Sequence, residues 1–308
     1  MPLLLYGNVE NNKDIYYATG LKIQDDFYYL KKQTREYVFF DNRNYKIFKF
    51  LKNKKNNLKA ISIEDILKKQ RYKKVLKAHN LAFLILKSIL REEKEISVNE
   101  NFSVKTADYL RTKGFIIKPK AEIFDKRAIK NQQEIENIEK NLKLNNQGFD
   151  LIKQVLKRSR MENGKLLLDK NKILTSQGLK KMVEKLFIDL DLNNTHGLII
   201  ASGKQSSIPH HSGSGMIYPN TPIVCDLFPY SKKNFYYADM TRTFVKGRPS
   251  EKIKRIFEAL KKTQENLIKL IKPGVECSFL HQKATELLTK MGYKTENKQG
   301  FIHSLGHG

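Results

Sequence analysis

Two aspartates set inside apolar, strand-like sequence constrain this chain more than anything else in it. Asp226 stands in Ile223-Val224-Cys225-Asp226-Leu227-Phe228, and Asp239 in Tyr236-Tyr237-Ala238-Asp239-Met240-Thr241-Arg242-Thr243-Phe244. A carboxylate in such surroundings is costly to bury unless its charge is compensated, and a bound cation is the obvious compensator. The two aspartates are thirteen positions apart, and the polar insert at 229–234 has the length of a hairpin turn. Folding back there places two strands side by side and both carboxylates in one neighbourhood. Like charges so placed raise each other's pKa unless a cation sits between them. Taken alone, each aspartate also fits an ordinary turn or surface acid.

The histidines narrow the choice. His303 and His307 lie four apart in a segment bracketed by Gly300, Gly306 and Gly308, and glycine lets a backbone approach a site closely. The spacing superficially matches a zinc-binding helix, but Gly306 and the strand-like Phe301-Ile302 favour strand and loop, and the inner glutamate of that motif is absent. His210 follows Pro209, with His211 beside it, in the Ser/Gly-rich stretch 202–215, the kind of loop that lines active sites. Two carboxylates with histidines favour a divalent transition metal; imidazole suits Zn, Co, Fe or Mn, and the carboxylates shift the choice towards Mn. Thr241 and Arg242 read as support for their strand.

Composition sets the frame. The 308 residues suffice for two domains or one large one, and 40% hydrophobic with 29% charged residues describes an ordinary globular chain. No apolar run approaches the ~18 residues of a membrane span. The N-terminus, Met1-Pro2-Leu3-Leu4-Leu5-Tyr6, lacks a basic leader region, so secretion is not predicted. Two cysteines, Cys225 and Cys277, make no disulfide framework, which places the protein in a reduced, cytoplasmic setting. The net charge of +26 is spread along the whole length without a nucleic-acid motif. The lysines therefore read as a solvated surface, and neither a membrane nor nucleic acid is a predicted partner.

Residues 1 to about 120 read as a small mixed α/β unit. Segments 14–20 and 27–30 read as short aromatic strands or turns, 37–40 as a strand, 73–93 as a helix, 107–110 as a second helix closed by Gly114, and 115–117 as a strand. Residues 52–57 read as a solvated turn, and His79 as a packing or surface residue within a helical pattern. The boundary falls near Arg127. A long helix follows, with Ile135, Ile138, Leu142, Phe149, Ile152 and Leu156 on one face. A second carries Leu179, Met182, Val183, Leu186, Phe187 and Leu190, with Thr175 or Ser176 as N-cap. Strands are predicted at 198–200, 223–226 and 235–245, and helices over 250–271 and 278–291. Helices covering one face of an antiparallel sheet make the fold class α+β.

Five separated blocks occur in order: Ala201-Ser202-Gly203, Ile208-Pro209-His210, Cys225-Asp226, Ala238 to Phe244, and Gly300-Phe301-Ile302-His303-Ser304-Leu305-Gly306-His307-Gly308. Together they resemble the pita-bread metallopeptidases, in the Xaa-Pro aminopeptidase and Xaa-Pro dipeptidase branch. Residues 1–127 resemble the creatinase-like N-terminal domain of that branch, and 128–308 its catalytic domain. The resemblance implies that Asp226 chelates one metal, Asp239 bridges two, and His307 supplies an imidazole ligand. It makes His210 and His303 the histidines that hold the substrate and stabilise the tetrahedral intermediate, with His211 as the alternative to His210. It implies two divalent ions, Mn with Co or Zn as alternatives, ~3.5–4 Å apart, and a peptide substrate with proline at the second position. It also places two further metal-binding glutamates and one histidine beyond Gly308, so the chain reads as a truncated, C-terminally incomplete portion with an incomplete ligand set. A different class of function stays open: a non-catalytic binding module of the same fold, its basic surface contacting an acidic protein or nucleic acid. The oligomeric state, a homodimer included, stays open too.

Overall fold

The chain folds as two units, Met1–Ile129 and Lys130–Gly308, in a computed structural model that describes residues 1–51, 57–70, 77–90, 92–294 and 305–306. In the first unit the elements run β1 (Leu3–Gly7), α1 (Lys13–Thr19), β2 (Phe27–Lys32), β3 (Arg35–Phe40), α2 (Asn42–Phe50), β4 (Leu58–Ser62), α3 (Ile63–Lys69), α4 (Ala78–Leu90), β5 (Glu95–Asn99), α5 (Val104–Thr112) and β6 (Ile116–Lys120). Their strands form one mixed sheet in the order β4-β3-β2-β1-β5-β6. It is antiparallel across β1, β2 and β3 and parallel elsewhere. Both faces are covered. Leu4, Tyr28, Leu30 and Phe39 pack with Ile85 and Leu110 on one side, and Leu5, Phe27, Tyr29, Val38 and Phe40 with Ile15 and Phe48 on the other. Burial on both faces explains why these strands read as unbroken apolar runs rather than alternating ones.

Segment 14–20, expected as a strand or turn, is the helix α1. The Asn12 side chain caps it by accepting from the N–H groups of Asp14 and Ile15, and Gly20, with φ 69°, closes it by donating to the Tyr16 carbonyl. These two end signals outweigh the strand preference of Tyr16 and Tyr17. The helix expected over 73–93 is described as α4, whose His79 ring packs edge-on against Tyr109 at 4.9 Å. The turn read at 52–57 falls almost wholly outside the described residues.

The second unit runs α6 (Gln132–Arg158), β7 (Arg160–Glu162), β8 (Lys165–Leu167), α7 (Ser176–Asp189), β9 (Leu192–Asn193), β10 (Ile199–Ser202), β11 (Ile223–Leu227), β12 (Tyr230–Ser231), β13 (Met240–Phe244), α8 (Glu251–Leu270) and α9 (Cys277–Lys290). A capping box starts α6: the Asn131 side chain accepts from the Glu134 N–H, and the Glu134 carboxylate accepts from the Asn131 N–H. Thr175 caps α7 through the Gly178 N–H. Strands β10, β11 and β13 form an antiparallel sheet with β11 in the centre. One face of it is closed by α6 and α7, whose Phe149, Ile152, Leu156, Leu179, Val183 and Phe187 bury Ile200, Ile223, Cys225 and Leu227. Each such side chain removed from water contributes roughly 1.5–3 kcal/mol. Helices on one face of an antiparallel sheet are the α+β arrangement expected for this half.

Two expectations need correction here. The strand predicted over 235–245 is shortened to β13, because Phe235 takes a left-handed backbone (φ 62°) and residues 229–238 turn aside to contact α6. Asp239 therefore precedes the strand rather than lying within it. On α6, Ile135 is 40% exposed, because the first turns of that helix bury polar side chains instead. The strand expected at 301–302 lies outside the described residues.

Candidate metal centre

Alternation along β11 sends Ile223, Cys225 and Leu227 into the core and leaves Asp226 half-buried on the opposite face of the sheet. The ladder pairs Asp226 with Ile199 of β10 on one side and Thr241 of β13 on the other. Thr241 uses that position: its hydroxyl donates to Asp226 Oδ1 at 2.6 Å. Asp239, exposed one residue ahead of β13, lies near enough to Asp226 for its carboxylate to act on that residue's charge. Burial pushes the Asp226 carboxyl above the usual carboxylate range; the bond from Thr241 opposes that, the carboxylate of Asp239 adds to it, and His210 opposes it. The hairpin thus brings together the two carboxylates that the sequence singled out, with His210 within electrostatic reach.

His210 is placed by an unusual turn. Ile208-Pro209-His210-His211 is closed by a bond from the His211 N–H to the Ile208 carbonyl at 3.1 Å, and His210 has φ 62°. Proline second and a left-handed residue third fit a type II turn, where glycine or asparagine is the usual third residue. A histidine there carries strain of order 1–3 kcal/mol, and such strain collects at functional sites. The loop is anchored just beyond. The Ser212 carbonyl accepts from the Ile200 N–H at 3.0 Å and from Lys180 Nζ at 2.8 Å, and the Gly213 carbonyl accepts from Lys180 Nζ at 2.9 Å. Gly213 has φ +83°, and a Cβ there would run into the Ile200 carbonyl. His211 is occupied locally, its Nδ1 accepting from the Gly213 N–H at 3.0 Å.

Two contributors escaped the reading of the sequence. Thr241 passed as strand support, although its hydroxyl meets Asp226. The other is a polar seam on α6. Tyr236 donates its hydroxyl proton to Glu134 Oε1 at 2.8 Å, and Asn141 Nδ2 donates to Asn234 Oδ1 (2.9 Å) and the Tyr236 carbonyl (2.8 Å). Asn145 Nδ2 donates to the carbonyls of Leu227 and Ala238, both at 2.8 Å. The available signal was the helical spacing of Glu134, Asn141 and Asn145, polar residues that weaken a helix interior and so call for a tertiary reason.

His303 and His307 lie outside the described residues. Among the described residues no group of three or more His, Cys, Asp and Glu side chains could hold a metal. The neighbouring pair Asp226 and Asp239, one of them half-buried, fits the carboxylate part of a divalent-metal site.

Residues 136–308, more than half of the chain, match the model of metallopeptidase family M24. The chain belongs to metallopeptidase family M24. An Xaa-Pro dipeptidase of Pyrococcus furiosus is 39% identical over 111 residues, which is 36% of this chain and 30% of that protein. Curated Xaa-Pro dipeptidases are matched over 28–30% of their own length. A prolidase structure from Pyrococcus furiosus superposes with a TM-score of 0.74 at 23% identity, covering 100% of this chain and 79% of that one. The X-Pro aminopeptidase structure from Thermotoga maritima gives 0.70 at 18%, covering 95% of this chain and 76% of that one. These structures show that this M24 chain has a mixed α/β fold like theirs. Among the described residues no helix is long and apolar enough to cross a membrane, and Cys225 and Cys277 are both free.

Proposed function

We propose that this M24 chain is a metallopeptidase of the Xaa-Pro branch that cleaves the bond between an N-terminal residue and a following proline. The pairing of β11 with β13, which brings Asp226 and Asp239 to one end of a hairpin, carries the reading. Two carboxylates held together, one half-buried, are destabilising without positive charge between them, and a divalent cation supplies it. Asp226, Asp239 and His307 would hold two such ions, Mn in first place with Co or Zn as alternatives, and the ions would supply Lewis-acid activation of the scissile carbonyl and of water at neutral pH.

The chain's own residues do the rest. Thr241 fixes one oxygen of Asp226 by its 2.6 Å hydrogen bond, so the carboxylate is oriented before any ion arrives. His210, presented on its strained turn, contacts the substrate carbonyl together with His303. His211 is tied back to the Gly213 N–H, which favours His210 as the working member of the pair. Two free cysteines are compatible with the reduced cytoplasm as the place of action.

Calorimetric titration with Mn²⁺ and Co²⁺, followed by incubation with Xaa-Pro dipeptides and with longer peptides that begin Xaa-Pro, tests this. The full-length protein should take up either ion and release the first residue, and both properties should disappear in Asp226→Asn and Asp239→Asn. A folded full-length protein that takes up neither ion, or hydrolysis that survives Asp239→Asn, refutes it.

A further inference from the structure

Asn145 lies in the middle of α6 with no exposed surface. Its amide nitrogen has two hydrogens in a planar fork, and both are used, one on the Leu227 carbonyl and one on the Ala238 carbonyl, each at 2.8 Å. Leu227 immediately follows Asp226, and Ala238 immediately precedes Asp239. The continuous antiparallel ladder ends at the pair Leu227 and Met240; beyond it the segments stay joined by the Ala238 N–H donating to the Pro229 carbonyl at 2.8 Å and by a bridge between Tyr230 and Tyr237. Asn145 adds a tie from the helix side at that point. One nitrogen donating to two carbonyls fixes the distance between them, and the side chain itself is locked into a helix that cannot shift without dragging Phe149 and Ile152 out of the core.

The other end of the amide sharpens the case. Asn145 Oδ1 is buried with no hydrogen-bond partner among the described residues. A buried polar atom left unsatisfied costs about 1–3 kcal/mol and asks for an explanation. Flipping the amide would set its oxygen against two carbonyl oxygens, so the orientation is forced by the two donors. Nothing is gained from the oxygen; the residue is tolerated here for its NH₂ group alone. One turn earlier, Asn141 is equally buried and also donates twice, but its partners, Asn234 and Tyr236, are not adjacent in the chain to either aspartate.

We propose that Asn145 is a positioning residue that sets the spacing of Asp226 and Asp239 by clamping the backbone beside each of them. This role rests on the metal function proposed above. Its test compares Asn145→Leu, similar in volume and without donors, with Asn141→Leu, on the full chain. Mn²⁺ affinity is measured by calorimetry, the Co²⁺ visible spectrum reports coordination geometry, and urea unfolding reports stability. Both variants should lose stability, but only Asn145→Leu should weaken Mn²⁺ binding, by about 10–100-fold, and alter the Co²⁺ spectrum. Should Asn145→Leu fail to fold, Asn145→Ser, which keeps a single donor, carries the same comparison with a smaller loss. Equal weakening by the Asn141 and Asn145 variants, or wild-type affinity with an unchanged spectrum in the Asn145 variant, overturns the role and leaves the metal function standing. A wild-type chain that takes up no metal overturns the function and this role with it.

Discussion

Replacing Gly213 by alanine should cost about 2.5–4 kcal/mol, more than an ordinary exposed-loop substitution. Three contributions add up. A residue with a side chain at φ +83° pays about 1–2 kcal/mol for the left-handed backbone. The new Cβ would also strike the Ile200 carbonyl and lie 2.9 Å from Ala201 Cα. Both are backbone atoms of β10, which its ladder with β11 holds in place. The loop must therefore lift, losing the bond from the Ile200 N–H to the Ser212 carbonyl, worth about 1 kcal/mol. The two contacts of Lys180 Nζ on Ser212 and Gly213 loosen as well, which adds about 0.5–1 kcal/mol because the lysine is partly exposed. Gly215→Ala is the matched control: φ is +73° there and no atom lies within 4 Å of the added Cβ, so only the backbone contribution, about 1–2 kcal/mol, applies. Urea unfolding measures both variants, and amide hydrogen exchange at Ile200 reports the loop locally, with faster exchange expected only in Gly213→Ala. If the two glycines give the same loss, or Ile200 stays protected in Gly213→Ala, the pressing of this loop against β10 is refuted.

Other outcomes follow from the same geometry. In metal-free protein the folded-state pKa of Asp226 is raised, chiefly by burial. Its contribution to stability is therefore present at low pH and lost as pH rises from the ordinary carboxylate value, about 4, through the raised one. Asp226→Asn should flatten that slope in a plot of Tm against pH. Thr241→Val removes the hydroxyl that donates to Asp226 and should cost about 1 kcal/mol near neutral pH, with a smaller loss once the carboxyl is protonated in acid. At Gly148 a Cβ would sit 3.0 Å from Leu227 Cδ1 and 3.1 Å from Phe187 Cε1, so Gly148→Val should cost about 1–3 kcal/mol by overpacking, read from urea unfolding. A thiol reagent should label Cys277 at once, whereas Cys225, buried and with its thiol pushed up to about 12, should react only on unfolding.

Much of the second unit was legible because its signals are local. The apolar steps of α7, its cap at Thr175, and the run Ile223 to Leu227 each announce one element by spacing and end residues. The pairing of Asp226 with Asp239 was legible too, since a polar insert between two strand-like segments folds back on itself. What stayed hidden depends on contacts between distant residues. The register that sets Thr241 opposite Asp226 is decided by where the hairpin turns, and that turn, at 231–236, is fixed by its own backbone bonds and by contacts to α6 from 93–95 residues away. Asn141 and Asn145 resemble surface residues on a helix until the backbone they bind is known. In the first unit, β1 and β5 were missed because strands buried on both faces show no alternation, and α1 because two tyrosines masked the caps on either side of them.

The seam on α6 also bears on how the chain folds. Asn145 finds its two carbonyls 82 and 93 residues further along, and Asn141 reaches a carbonyl 95 residues away. Closing loops of that length is slow and is rewarded only when many contacts form together. Helix α6 can form early from its own capping box, but its buried amides have no partners until the chain has been made past Ala238. Assembly of the carboxylate pair is therefore a late and cooperative event, and during synthesis the polar face of α6 stays wet until the hairpin arrives to dry it.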